Sequence, residues 1–214
     1  MRNIKYLIYG LLLSNICISC DTPPKQDLIT NYESKQLEIN QLYTYVNDIT
    51  ADDKFFRIEF ESDEKIEYFF VTIKRIDSLT GHTCYTNIVA DGDYNRGFIG
   101  NRHLDIESQS VDNLLNWLGW TRDELNTLKQ KLDNANCISV ESGACAQSVH
   151  LRKMESPMTI GYKRVGLGMY FYNIFSQSLS GSLKNKYNDG CKYIFYKNNI
   201  VLEYRGGAIG PQCF

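Results

Sequence analysis

Residues Cys191–Arg205 read CKYIFYKNNIVLEYR, two runs rich in aromatic and branched residues hinged on Asn198-Asn199. Asparagine tolerates the positive φ of a tight two-residue turn, so the stretch predicts a β-hairpin. Pairing across an ideal turn puts Tyr193, Phe195, Ile200, Leu202 and Tyr204 on one face. The opposite face then holds Lys192, Glu203 and Arg205 beside Ile194, Tyr196 and Val201. One apolar and one mixed face is the pattern of an antiparallel sheet backed by helices on one side.

The same alternation recurs upstream. Met158–Arg164 and Gly168–Phe175 form a second expected hairpin, with Gly166 and Gly168 near its turn. Phe55–Glu61 and Lys65–Ile76 form a third around Ser62-Asp63-Glu64. Its second strand is apolar on both faces (Phe69, Val71, Ile73 and Tyr68, Phe70, Thr72), which predicts a central position.

Helices fill the gaps. Ile39, Leu42, Val46 and Ile49 recur at three- and four-residue steps within an expected helix over 27–49. Ser110–Leu118 carries Val111, Leu114, Leu115 and Leu118. Thr121-Arg122-Asp123-Glu124 is a capping box that opens a helix to about Asn134. Ser178–Tyr187 reads as a short helix or an irregular bend, and Gly81–Asn101 as loop. The expected fold is α+β: a mostly antiparallel sheet built from hairpins, packed with about three helices, in one domain over 27–214.

The N-terminus carries an address. Arg2 and Lys5 precede the uncharged, Leu- and Ile-rich segment 6–18, which is the layout of a secretory signal. A bilayer span needs roughly 20 apolar residues, more than this segment has. Ile18-Ser19-Cys20 resembles a lipobox, the signal of bacterial lipoproteins, although Cys17 stands where that family usually has Leu. The resemblance implies a signal peptide over 1–19, lipidation at Cys20 and a tether over 20–26 containing Pro23-Pro24. It also implies a lipid-anchored chain at the cell membrane or outer membrane, with its domain facing the periplasm or the cell surface. Cys17-x-x-Cys20 is then no redox pair, because the cut separates its two thiols. The ending VLEYRGGAIGPQCF resembles the tails of small uncharacterised envelope lipoproteins of bacteria, which adds an address and no mechanism.

The whole chain has 23 basic and 25 acidic side chains. Loss of Arg2 and Lys5 makes the mature chain more acidic, and no basic cluster supports nucleic-acid binding. Beyond Cys17 and Cys20 there remain Cys84, Cys137, Cys145, Cys191 and Cys213, an odd set in an oxidising compartment. The expected bridges are Cys137–Cys145 and Cys191–Cys213, leaving Cys84 over.

Chemical motifs are sparse. Asp91, Asp93 and Asn95 alternate as in a calcium loop, but Arg96 and Arg102 replace the glycine and the bidentate glutamate of that pattern. An Asx-stabilised surface turn accounts for them better. His82 and Cys84 invite a Cys–His nucleophile reading, without the glycine elbow or oxyanion hole that would accompany one. Glu59 and Glu61, at alternate positions on a strand, read as its solvated face. Ser62-x-x-Lys65 lies in a hairpin turn and reads as a chance match, and Gly206–Gly210 leads into no helix that could hold a phosphate. No cofactor motif is present.

Two function classes follow. The first is a non-catalytic binding or interaction module at the envelope, such as an immunity-type inhibitor of a toxin. Its partners would be the membrane, through the acylated N-terminus, and another envelope or toxin protein; the 15 tyrosines fit a recognition surface. The second is a small envelope hydrolase with dispersed catalytic residues, His82 and Cys84 first among them.

Overall fold

The computed structural model describes residues 24–50, 56–71, 74–76, 83–85, 98–142, 157–166, 168–206 and 213–214. Two helices open it, α1 (Pro24–Ser34) and α2 (Gln36–Ile49). The sequence predicts one helix here, and the backbone shows why there are two. The Ser34 hydroxyl donates to the Asn31 carbonyl, which also accepts the Lys35 N–H. A side chain competing for a helical carbonyl bends the axis, and Lys35 leaves helical geometry with φ −122°.

Strands β1 (Phe56–Phe60) and β2 (Lys65–Val71) pair antiparallel around the 61–64 turn, as expected. A short pair follows, β3 (Lys74–Ile76) with β4 (Thr83–Tyr85). Then comes β5 (Phe98–Asp105), whose start lies in the stretch read as loop. It pairs with β2, so β2 is flanked on both sides. Helices α3 (Gln109–Leu118) and α4 (Arg122–Asn134) come next. Gly119 closes α3 in the left-handed region at φ 78°, and the Thr121/Glu124 capping box opens α4 with both of its hydrogen bonds formed.

The last part holds β6 (Ser139–Ser142), β7 (Met158–Val165), β8 (Gly168–Ile174), the short helix α5 (Gly181–Lys186), β9 (Tyr193–Lys197) and β10 (Ile200–Arg205). Eight strands form one antiparallel sheet in the order β5-β2-β1-β6-β7-β8-β10-β9. The fold is thus α+β, with five helices among the described residues.

The β9–β10 hairpin forms, but its faces differ from the ideal-turn reading. Asn198 takes the expected positive φ, 48°, yet a bulge between Ile200 and Val201 shifts the register by one. Phe195 now faces Val201 and Tyr193 faces Glu203. Because side chains alternate with a period of two, this one-residue slip moves Tyr193 and Phe195 to the other face of the sheet. Ile194 and Tyr196 take their place beside Leu202 and Tyr204.

Helices α1 to α4 cover one face. Leu28, Ile39, Leu42, Val46, Leu114, Leu125 and Leu128, all fully buried, pack with Ile58, Val140, Ile160, Tyr172 and Leu202 of the sheet. Burying each such side chain contributes about 1.5–3 kcal/mol, so this layer dominates stability. A smaller cluster of Phe175, Leu179 and Val201 sits on the opposite face, with Leu183, Tyr187, Tyr193 and Phe195 against it.

Candidate functional site

The sheet face away from α1–α4 is charged along the middle and yet buried. One cross-strand row runs Glu67, Glu59, Ser139, Gly161, Phe171, Glu203, Tyr193 from β2 to β9. A neighbouring row on the same face runs Arg57, Glu141, Thr159, Asn173, Val201, Phe195. Across the first row from it lie Arg164, Met169 and Arg205. Glu59 and Glu203 are each 2% exposed and Phe171 is 1% exposed.

A buried carboxylate must be paired, and these are. Arg57 donates to Glu59 at 2.8 Å, and Arg164 grips both oxygens of the same carboxylate. Arg205 donates to Glu203 at 2.9 Å and to Glu141 at 2.7 Å. Lys192 lies 3.3 Å from Glu203, and Arg102 lies 3.6 Å from Glu67. The Thr159 hydroxyl donates to Asn173 at 2.7 Å, and Asn173 in turn donates to Glu203 at 2.9 Å. Between the two charge clusters sits Phe171, with the guanidinium carbons of Arg205 and Arg57 at 4.4 and 5.8 Å from its ring centre.

Glycine at 161 makes this packing possible. A Cβ there would stand 2.0 Å from the Ser139 hydroxyl and 2.1 Å from the Met169 methyl. Burial pushes the Glu203 carboxyl upward, but the charge and hydrogen bonds of Arg205, with Asn173 and Lys192, outweigh it and hold its pKa below the usual carboxylate range. Arg205 and Arg164 are held more firmly protonated than usual against their burial, Arg205 by Glu141 and Glu203 and Arg164 chiefly by its hydrogen bonds to Glu59. A general base needs an affinity for protons near working pH, and Glu203 has been moved the other way. Such a paired, buried network makes the sheet a rigid support.

The residues singled out in the sequence are placed as follows. The Cys191–Cys213 bridge is formed. It draws the C-terminus in, where Phe214 donates its N–H to the Cys191 carbonyl and lies 5.6 Å from the Tyr170 ring centre. Cys137 is a free, buried thiol directed at the Ala135 carbonyl, so the expected bridge to Cys145 is not made; Cys145 itself lies outside the described residues. Desolvation pushes the Cys137 thiol far up, which makes it a poor nucleophile. Cys84 stands on β4 opposite Arg75. Cys20, His82, Asp91, Asp93 and Asn95 lie outside the described residues.

Two sequence expectations change. Glu59, read as solvated, is buried and ion-paired; only Glu61 of that pair is exposed, with its Oε2 2.7 Å from His103 Nδ1. Tyrosine, read as a recognition surface, is mostly structural: among the residues with described side chains, every tyrosine is buried or half-buried. The charged sheet face was missed, although Arg57-x-Glu59 and Glu203-x-Arg205 signalled it. Opposite charges two apart share a strand face, and two strands carry them.

An open groove on the helical side is lined by Asn40, Gln41, Thr44, Tyr45 and Asp48 of α2 and Lys131 of α4. Among the described residues, no group of three or more His, Cys, Asp or Glu is placed to hold a metal ion, and no helix is long and apolar enough to cross a membrane. Compared with protein-family models, curated proteins and solved structures, the chain matches none.

Proposed function

We propose that the chain is a bacterial lipoprotein, held in the cell membrane or outer membrane by acyl chains on Cys20, whose folded part is a non-catalytic binding module of the envelope. Its concrete form would be an immunity-type inhibitor that engages an incoming toxin. Ile18-Ser19-Cys20 carries the anchoring half of this reading. The binding half is supported by one observation above all: the buried carboxylates Glu59 and Glu203 are each committed to guanidinium partners. That arrangement suits a rigid scaffold better than proton transfer.

Acyl labelling tests the anchor, since a Cys20→Ala chain is expected to remain an unlipidated precursor; normal labelling of that variant refutes it. A basic toxin neutralised in stoichiometric ratio by the native chain would support the binding module. Turnover of an ester or peptide substrate, lost in Cys84→Ala and His82→Ala, would replace it with the hydrolase reading.

A further inference from the structure

We infer that Asn188 and Asp189 close the open edge of the sheet: their side chains occupy the β9 donors that a strand from a second copy of this chain would otherwise take. Strand β9 ends the eight-stranded sheet, and among the described residues no strand pairs with its outer side. The Tyr204 N–H donates to the Lys192 carbonyl, so Lys192 and Ile194 turn their backbone groups toward β10, while Tyr193 and Phe195 turn theirs outward. Both outward donors are taken. The Tyr193 N–H donates to Asp189 Oδ1 at 2.8 Å, and the Phe195 N–H donates to Asn188 Oδ1 at 3.2 Å. Asp189 Oδ1 also accepts the Cys191 N–H at 2.8 Å. Gly190, in the left-handed region at φ 72°, turns the chain so that both side chains reach the strand they precede. Two side-chain oxygens thus stand in for the carbonyls of a neighbouring strand.

The strand they cover is a good template for pairing. Tyr193-Ile194-Phe195-Tyr196 is aromatic and branched and holds no proline, the composition of a strand prone to edge-to-edge association. Its flanking lysines are committed elsewhere, Lys192 at 3.3 Å from Glu203 and Lys197 at 2.9 Å from Glu33. The opposite edge, β5, is protected by other means. Arg102 and His103 both stand opposite Glu67 in a bulge, His103 at φ 55°, and both side chains are exposed. A bulge twists an edge out of line, and exposed charge repels a second strand. Tyr193, Ile194 and Phe195 have no such bulge, since they pair one to one with Glu203, Leu202 and Val201. Protection there falls to Asn188 and Asp189. The Tyr193 and Cys191 N–H groups hold the Asp189 carboxyl below the usual carboxylate range, so it stays an acceptor at neutral and mildly acidic pH. Without these side chains, β9 can pair antiparallel with β9 of a second copy, because one strand is its own partner in a twofold dimer.

The test compares the full native chain with an Asn188→Ala/Asp189→Ala variant by analytical ultracentrifugation in one detergent, with amide hydrogen exchange read at Tyr193 and Phe195. The native chain is expected to be monomeric, with both amides exchanging slowly. The double variant should self-associate at least about tenfold more tightly, as two freed backbone donors allow. Adding Phe195→Pro should return it to monomer, because proline removes an outward donor and leaves the ladder to β10 in place. A folded double variant that stays monomeric overturns the inference, as does association that survives Phe195→Pro. Native amides at 193 and 195 that exchange as fast as loop amides overturn it too, and so does native association through β9. Should the double variant fail to fold, Asn188→Ala alone decides, since it keeps the Asp189 turn: association supports the inference and a folded monomer overturns it.

Discussion

Arg164 and Glu59 stand on strands separated by β6, yet the guanidinium of Arg164 meets both oxygens of a carboxylate that is 2% exposed. Arg57 reaches the same carboxylate from β1 at 2.8 Å. Arg164→Ala removes one of two partners and should cost about 1–3 kcal/mol in urea unfolding. Glu59→Ala leaves two arginines facing each other beside Phe171 and should cost more, about 3–5 kcal/mol. Equal stabilities for Glu59→Ala and the native chain would mean that this network contributes nothing to the fold.

Glu203 makes the acid side of the stability profile predictable. Its burial raises the carboxyl pKa, but Arg205, Asn173 and Lys192 together bring it below the usual range. A carboxyl whose folded pKa is lowered contributes stability above the unfolded value, near 4.3, and that contribution is lost as pH falls through the folded value. Glu203→Gln cannot titrate. Its stability deficit against the native chain should therefore be largest near neutral pH and shrink on acidification below about 4, read by urea unfolding at each pH. A deficit that grows on acidification would reverse the sign assigned to Glu203.

Much of this architecture is legible in the sequence because it follows from local rules. The Thr121 capping box, the Asn198-Asn199 turn and the Leu125/Leu128/Leu132 stripe each name an element from neighbouring residues. What stays hidden depends on non-local geometry. The bulge after Ile200 reverses the faces of β9 through a single backbone irregularity that no side chain announces. Glu59 looks solvated because alternation says which residues share a face, and only the third dimension says whether that face is covered. Among the described residues there are five helices rather than about three, because a hydroxyl at Ser34 bends a continuous amphipathic stripe and α5 is too short to carry one.

The Cys191–Cys213 bridge closes a loop with a sequence separation of 22. Chain-entropy arithmetic for such a loop gives about 3 kcal/mol of stabilisation through the unfolded state. Reduction, or Cys213→Ser, should lower stability by that order. It should also release Phe214 from the stacked Tyr170 and Tyr204 rings, whose centres lie 4.8 Å apart. Near-ultraviolet circular dichroism reports the aromatic change separately from the unfolding midpoint. A midpoint shift with unchanged aromatic signal would show that the tail stays docked without its bridge.

The alkaline side turns on Tyr196. Its hydroxyl donates to Glu33 of α1, and that hydrogen bond, with burial and the charge of Glu33, pushes the phenol up to about 12. Glu33 is correspondingly lowered, first by Tyr196 and then by Lys197. A phenol whose folded pKa is raised holds its proton more tightly when folded, so its stabilisation is complete below the unfolded value of about 10 and is lost as pH rises through the folded value. Tyr196→Phe removes both the hydrogen bond and the titration. Its stability deficit should be full at about pH 9 and should have narrowed by about pH 12, measured by urea unfolding against the native chain. A deficit that is constant across that window would mean that the Glu33–Tyr196 contact between α1 and β9 is absent in solution.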